Sequence, residues 1–170
     1  MGVKLYIMTD YNSLSPSSRV WIFQADREFN TNENEAISNE LMQFVDNWLS
    51  HGSLLKAHYK LLHNRFIVFI ADEDGDNMCG RAIDASVRFV KELEKKYAVI
   101  LLDRSRVAYL KDGKVEACTL DELGQRIEDG EITQDTEVFN NLVSTKEEFD
   151  NSWTVPLAKS WHRSYIMQNQ

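Results

Sequence analysis

Phe66–Ala71, reading FIVFIA, is the stretch that most constrains the fold. It has no polar position, and a short run this uniform reads as a central strand. The residues before it alternate. Lys56, His58 and Lys60 face one way, while Ala57, Tyr59 and Leu61 face the other. That pattern predicts a half-buried strand over 54–62, with lysines suited to a sheet edge. His63 and Asn64 lie between the two runs as a two-residue turn, so 54–71 is expected to be a β-hairpin.

The flanking segments extend the pattern. Val20–Ala25 (VWIFQA) is rich in β-formers and reads as a strand. Ile37, Leu41, Phe44, Val45, Trp48 and Leu49 form one helical stripe. Asn32 with Glu35 resembles its capping start, and Gly52 a natural stop. A second stripe, Ile83, Val87, Val90, Leu93 and Tyr97, predicts another helix, and Ala98–Leu102 (AVILL) a strand after it. The order from 20 to 102 is then β-α-β-β-α-β, the ferredoxin-like split βαβ pattern. It predicts an α+β sandwich with the sheet order 98–102, 20–25, 66–71, 54–62. A doubly wound α/β sheet is the alternative.

Beyond this core, expected to span 19–103, Asp112-Gly113 splits a second hairpin over 106–119. Thr119 with Glu122 opens a short helix. The remainder to residue 170 reads as a helical extension, with short helical pieces around Val138–Val143 and Thr145–Phe149, and with Trp153 and Trp161 in the tail. A chain of 170 residues suits one domain. The formal net charge of −8 is spread over both halves: seven basic and twelve acidic side chains in 1–85, twelve and fifteen in 86–170. Phosphate binding runs on Lys and Arg, so nucleic acid is not an expected partner. No stretch approaches the ~20 apolar residues of a membrane span, and the N-terminus lacks a signal-peptide pattern. The expected location is cytoplasmic, with Cys79 and Cys118 as reduced thiols.

Several constellations could carry chemistry. Gly75 to Gly80 has phosphate-loop spacing between a predicted strand and helix, but Arg81 and Ala82 stand where Lys and Ser/Thr are needed. Asp72, Glu73, Asp74 and Asp76 would also repel phosphate. Asp72, Asp74 and Asp76 begin a calcium-loop pattern, yet Asn77 and Ile83 replace its Gly and Glu. The four histidines and two cysteines show no ligand spacing, so neither a metal nor a cofactor is expected.

Cys79 precedes a helix N-terminus, where the dipole and Arg81 favour a thiolate; the alternative is a small residue in a turn. The predicted topology gathers Arg19, Asp72, Arg81, Asp84, Asp103 and Arg104 at one sheet end. Asp72 and Asp103 could there act as a carboxylate pair, and Arg19, Arg81 and Arg104 could bind an anionic ligand. A structural ion-pair network is the competing reading, and Asp84 is expected to be an N-cap or a dipole partner. Trp153 and Trp161 could meet a partner or dock the tail. No complete catalytic motif is present. The first expectation is therefore a non-enzymatic module that binds a small molecule or a protein. A small enzyme using Asp72/Asp103 or Cys79 on an acidic or phosphorylated metabolite is the second.

The strings SSRVWIFQADREF (17–29), RFIVFIADE (65–73), GRAIDASVRFVKELE (80–94), DTEVFNNLVSTKEEF (135–149) and SWTVPLAKSWHRSY (152–165) resemble a family of short, uncharacterised bacterial proteins often labelled "ABC transporter ATPase". That family often carries Ser-Gly-Cys-Ser before Ile-Asp. The corresponding run here is Cys79, Gly80, Arg81, Ala82, so the resemblance places Arg81 at the family's cysteine. The label itself implies an ATPase, which needs an intact Walker A loop and a signature motif, and this sequence has neither.

Overall fold

A computed structural model describes residues 8–73 and 78–168. It combines helices with several antiparallel sheets, an α+β architecture. The chain divides into two compact units, 1–102 with 144–147, and 103–143 with 148–170.

The first unit is built on strands β1 (Arg19–Gln24), β4 (Lys56–Leu62) and β5 (Phe66–Asp72). β5 is central and antiparallel to both neighbours, in the order β1-β5-β4. Its six residues Phe66–Ala71 are buried without exception, as their uniform apolarity requires. The expected turn is present. His63 and Asn64 have φ of 52° and 51°, and the Arg65 N–H closes it on the Leu62 carbonyl at 3.0 Å.

Helix α1 (Thr31–Asp46) buries Ile37, Leu41 and Val45, and helix α2 (Gly80–Tyr97) buries Ala82, Ser86, Val90 and Leu93. These faces meet Phe23, Ile67 and Phe69 of the sheet in one core. The capping box of α1 is Asn30 with Glu33, two residues before the expected pair. Arg27 grips Glu33 with two hydrogen bonds of 2.8 and 2.9 Å and reaches the Tyr97 carbonyl at 2.7 Å. Arg27 first, and then the Asn30 N–H, draw the Glu33 carboxyl down to about 2. Asn30→Ala removes the acceptor for the Glu33 N–H and is expected to cost about 1 kcal/mol in denaturant unfolding.

Two expectations need correction. Residues 98–102 do not form a strand. Ala98 turns into the left-handed region at φ 50°, and the Leu101 and Leu102 N–H groups donate to the Glu94 carboxylate at 2.7 and 2.9 Å. Amides spent on a side chain are not available to a ladder. The start of the β1 edge is instead met by 144–146, with the Val20 N–H on the Ser144 carbonyl at 2.9 Å and the Lys146 N–H on that of Ser18 at 2.8 Å. Nor does Gly52 end α1. The helix stops at Asp46, and a small hairpin follows, β2 (Leu49–Ser50) and β3 (Ser53–Leu54), turned by His51 and Gly52 at φ 52° and 78°.

The second unit holds the expected hairpin, β6 (Arg106–Lys111) and β7 (Lys114–Thr119), with the turn at Asp112-Gly113. Thr119 and Glu122 form the capping box of α3 (Leu120–Glu128). Two three-residue strands were not foreseen, β8 (Glu137–Phe139) and β9 (Thr154–Pro156), and they complete a sheet in the order β7-β6-β8-β9. Between and after them run α4 (Lys146–Ser152) and α5 (His162–Gln168). Val138 and Phe139, expected in a helical piece, are buried strand residues. Among the described residues, no helix is long and apolar enough to cross a membrane.

Candidate functional site

The two cysteines, both free thiols, differ sharply in setting. Cys118 is buried on β7, and desolvation pushes its thiol up to about 11. Cys79 is the N-cap residue of α2 and is half-buried. Its thiol is drawn down to about 7, chiefly by the His51 N–H, then by the Ser50 hydroxyl and the Ala82 N–H. Donors beside a sulfur favour the thiolate over the thiol. The 18-residue helix behind it adds the positive end of its dipole. The Cys79 backbone is fixed as well, since its N–H donates to the Ser50 Oγ at 3.1 Å.

Ser50 and His51 come from the β2–β3 hairpin, so hairpin and helix start together make the site. Trp48 holds them in register. Its indole N–H donates to the Ala82 carbonyl at 2.8 Å, and its ring lies 5.2–5.8 Å from those of Phe44, Phe69 and Trp21. Two hollows adjoin at His51. An open depression of about 770 Å³ exposes Cys79 and is lined by Leu49, Gly52, Gly80, Arg81 and Asp84. A smaller one of about 180 Å³ is lined by Ser50, Leu54, Asp72, Glu73 and Met78.

The expected cluster is therefore assembled in part. Arg19, exposed at the start of β1, pairs with Glu73 at 3.4 Å and lies 4.9 Å from the centre of the Trp21 ring. The same Glu73 oxygen accepts the Met78 N–H at 3.3 Å. Asp72 ends β5 and enters the smaller hollow beside His51. Arg81 and Asp84 are exposed on the first turns of α2 at the larger one. Asp84 is not the N-cap, as that position is Cys79, five residues earlier and just before α2.

Asp103 and Arg104 belong to the second unit. Asp103 closes a turn on itself: its carboxylate accepts the Ser105 hydroxyl at 2.7 Å and the Ser105 N–H at 2.9 Å, and pairs with Arg106 at 3.5 Å. These bonds, the hydroxyl foremost, lower its carboxyl, whereas a general acid needs a raised one. Arg104 is exposed. Trp153 is buried within the second unit. Its indole N–H is on Asn141 at 3.0 Å and its ring lies 4.9 and 5.0 Å from Phe139 and Phe149, so it offers no open contact face. Trp161 is half-buried and stacks on His162 at 4.0 Å.

Gly75, Asp74, Asp76 and Asn77, which carry the phosphate-loop and calcium-loop patterns, lie outside the described residues. Among the described residues, no group of three or more His, Cys, Asp or Glu could hold a metal ion. Ser50 and His51 escaped sequence reasoning because the helical stripe runs on through Trp48 and Leu49. The His51-Gly52 pair between two short apolar stretches was the one available signal. Compared with known protein families, curated proteins and solved structures, the chain finds no match.

Proposed function

We propose that this protein is a non-enzymatic binding or regulatory module whose reactive group is the Cys79 thiolate, carried on a ferredoxin-like frame. The β1-β5-β4 sheet and the order β1-α1-β4-β5-α2, interrupted by the small β2–β3 hairpin after α1, support the frame. The observation that carries the function is the half-exposed Cys79 thiol at the N-cap of α2, beside the β2–β3 hairpin, whose Ser50 Oγ takes the Cys79 N–H at 3.1 Å. Such a thiolate takes part in thiol–disulfide exchange. Its sulfur attacks one sulfur of a small disulfide, a new S–S bond forms to Cys79, and the other half leaves as a thiolate. No further oxidant or reductant is needed. Arg81, at the mouth of the hollow, is the side chain that would meet a carboxylate borne by the disulfide. The reading calls for a reducing, cytoplasmic compartment, in which Cys79 starts as a free thiolate.

Incubation with glutathione disulfide at pH 7 tests it. The expected product is one mixed disulfide per chain, mapped to Cys79 by peptide mass and reversed by dithiothreitol. An unmodified Cys79, or an adduct that forms as fast on Cys118, contradicts the proposal.

A further inference from the structure

The open depression that exposes Cys79 also carries two opposite charges that the protein leaves unused. Arg81 and Asp84 stand three residues apart on α2, both exposed, and both line it. That spacing puts their Cβ atoms about 5–6 Å apart on one helix face, where opposite charges ordinarily meet. Among the described residues, however, neither side chain has an ion pair or a hydrogen bond. Arg81 also stands against the helix dipole. The first turn of α2 contains no acidic residue, and a cation at the positive end works against the helix. Leu49, half exposed, adds an apolar wall to the same depression. A nucleophilic sulfur, a cation, an anion and an aliphatic surface therefore share one opening.

We infer that the disulfide taken up by Cys79 is that of an α-amino acid, with Arg81 receiving its carboxylate and Asp84 its ammonium group. The inference rests on the thiol-exchange reading above and narrows its substrate class. An α-amino acid carries both charges on one carbon, and in a disulfide of the cystine class a single methylene separates that carbon from the sulfur. Such a head group would answer both side chains at once, while its methylene lies against Leu49. A disulfide with carboxylates alone would leave Asp84 facing a like charge, and one with ammonium groups alone would do the same to Arg81. The step itself is a displacement at sulfur. The Cys79 thiolate bonds to one sulfur of the disulfide, the original S–S bond breaks, and the other amino-acid thiolate leaves and takes a proton from water.

The test uses the full chain, wild type, Arg81→Gln and Asp84→Asn, at pH 7. Each protein is offered cystine, which bears both charges, dithiodipropionate (carboxylates only), cystamine (ammonium groups only) and the uncharged bis(hydroxyethyl) disulfide. The adduct on Cys79 is timed by peptide mass. Each rate is divided by that of the uncharged disulfide on the same protein, which cancels any change in the thiol itself. The expected cystine ratio falls about two- to five-fold in each variant, the range for one exposed charge contact. Arg81→Gln should lower the dithiodipropionate ratio but not that of cystamine, and Asp84→Asn the reverse. Cystine has no net charge, so general attraction to the protein's field cannot produce a loss in both variants. A cystine ratio unchanged in either variant overturns the inference and leaves the thiol reading standing. No adduct on Cys79 with any of these disulfides overturns both.

Discussion

Trp48→Ala should destabilise the first unit by about 3–5 kcal/mol in urea unfolding, the range for emptying a buried aromatic site. Trp48 is 2% exposed although it stands two residues beyond the end of α1. Its ring touches the helix through Phe44, the central strand through Phe69 and the first strand through Trp21, and no single neighbour could fill the space. The substitution also strips the Ala82 carbonyl of its indole donor. That second loss separates packing from function. Trp48→Phe keeps a ring in the core and removes the N–H, so it should cost less, about 1–2 kcal/mol. It should nevertheless release the first turn of α2 from the hairpin base. The thiol of Cys79 then rises toward its ordinary range, because its donors come from both elements. A Trp48→Phe variant with wild-type thiol reactivity would show that the Cys79 setting does not depend on this anchor.

The second large effect is a loss of stability in mild acid that depends on His162. This imidazole is 2% exposed at the start of α5 and hydrogen-bonded through Nδ1 to the Ser160 hydroxyl. Burial pushes its pKa from 6.5 down to about 4. Between those values the unfolded chain binds a proton that the folded chain refuses. The contribution is therefore fully present above pH 6.5 and is lost as pH falls to about 4, with no further change from this residue below that. Integrated over the window, the loss is about 3 kcal/mol. His162→Gln cannot take up the proton. The difference in unfolding free energy between wild type and variant should accordingly shift by about that amount between pH 7 and pH 4. A difference that stays constant over this range would mean that His162 protonates in the folded state without penalty. Glu33 is held near 2, so its contribution is lost mostly below pH 4 and, being common to wild type and variant, cancels in the comparison.

How far the sequence speaks depends on where each element finds its hydrogen bonds. The β4–β5 hairpin was legible because alternation in 56–62 and uniform apolarity in 66–71 state one edge strand and one central strand. Helix α2, the Asp112-Gly113 turn and the Thr119–Glu122 cap were legible for equally local reasons. Residues 98–102 misled because β-forming side chains say nothing about their amides, two of which are claimed by Glu94. The α1 stripe misled in another way. Trp48 falls on the helical period yet reaches the core from a hairpin, which hid β2 and β3 inside an apparent helix. β8 and β9, at three residues each, are too short to show any period.

The site followed the same rule. Cys79 at a helix start could be read directly, but its donors could not. Two of the three come from Ser50 and His51, some thirty residues away, and from a hairpin the pattern concealed. Arg19 and Asp72 lie at one end of the β1–β5 pair, and Arg81 on the first turn of α2. What distinguishes the spot is the sulfur between hairpin and helix.

That sulfur is also where the account is most exposed to test. The rate of iodoacetamide alkylation at Cys79, measured by peptide mass from pH 5 to pH 10, should follow a single ionisation near pH 7. Cys118 should stay unmodified in the folded chain throughout, as befits a buried thiol raised to about 11. Ser50→Ala should move the Cys79 midpoint upward, and should cost about 1 kcal/mol in unfolding because the Cys79 N–H loses its acceptor. A midpoint at the ordinary thiol value of about 8.5 in the wild type would contradict the lowered thiol, and with it the proposed function.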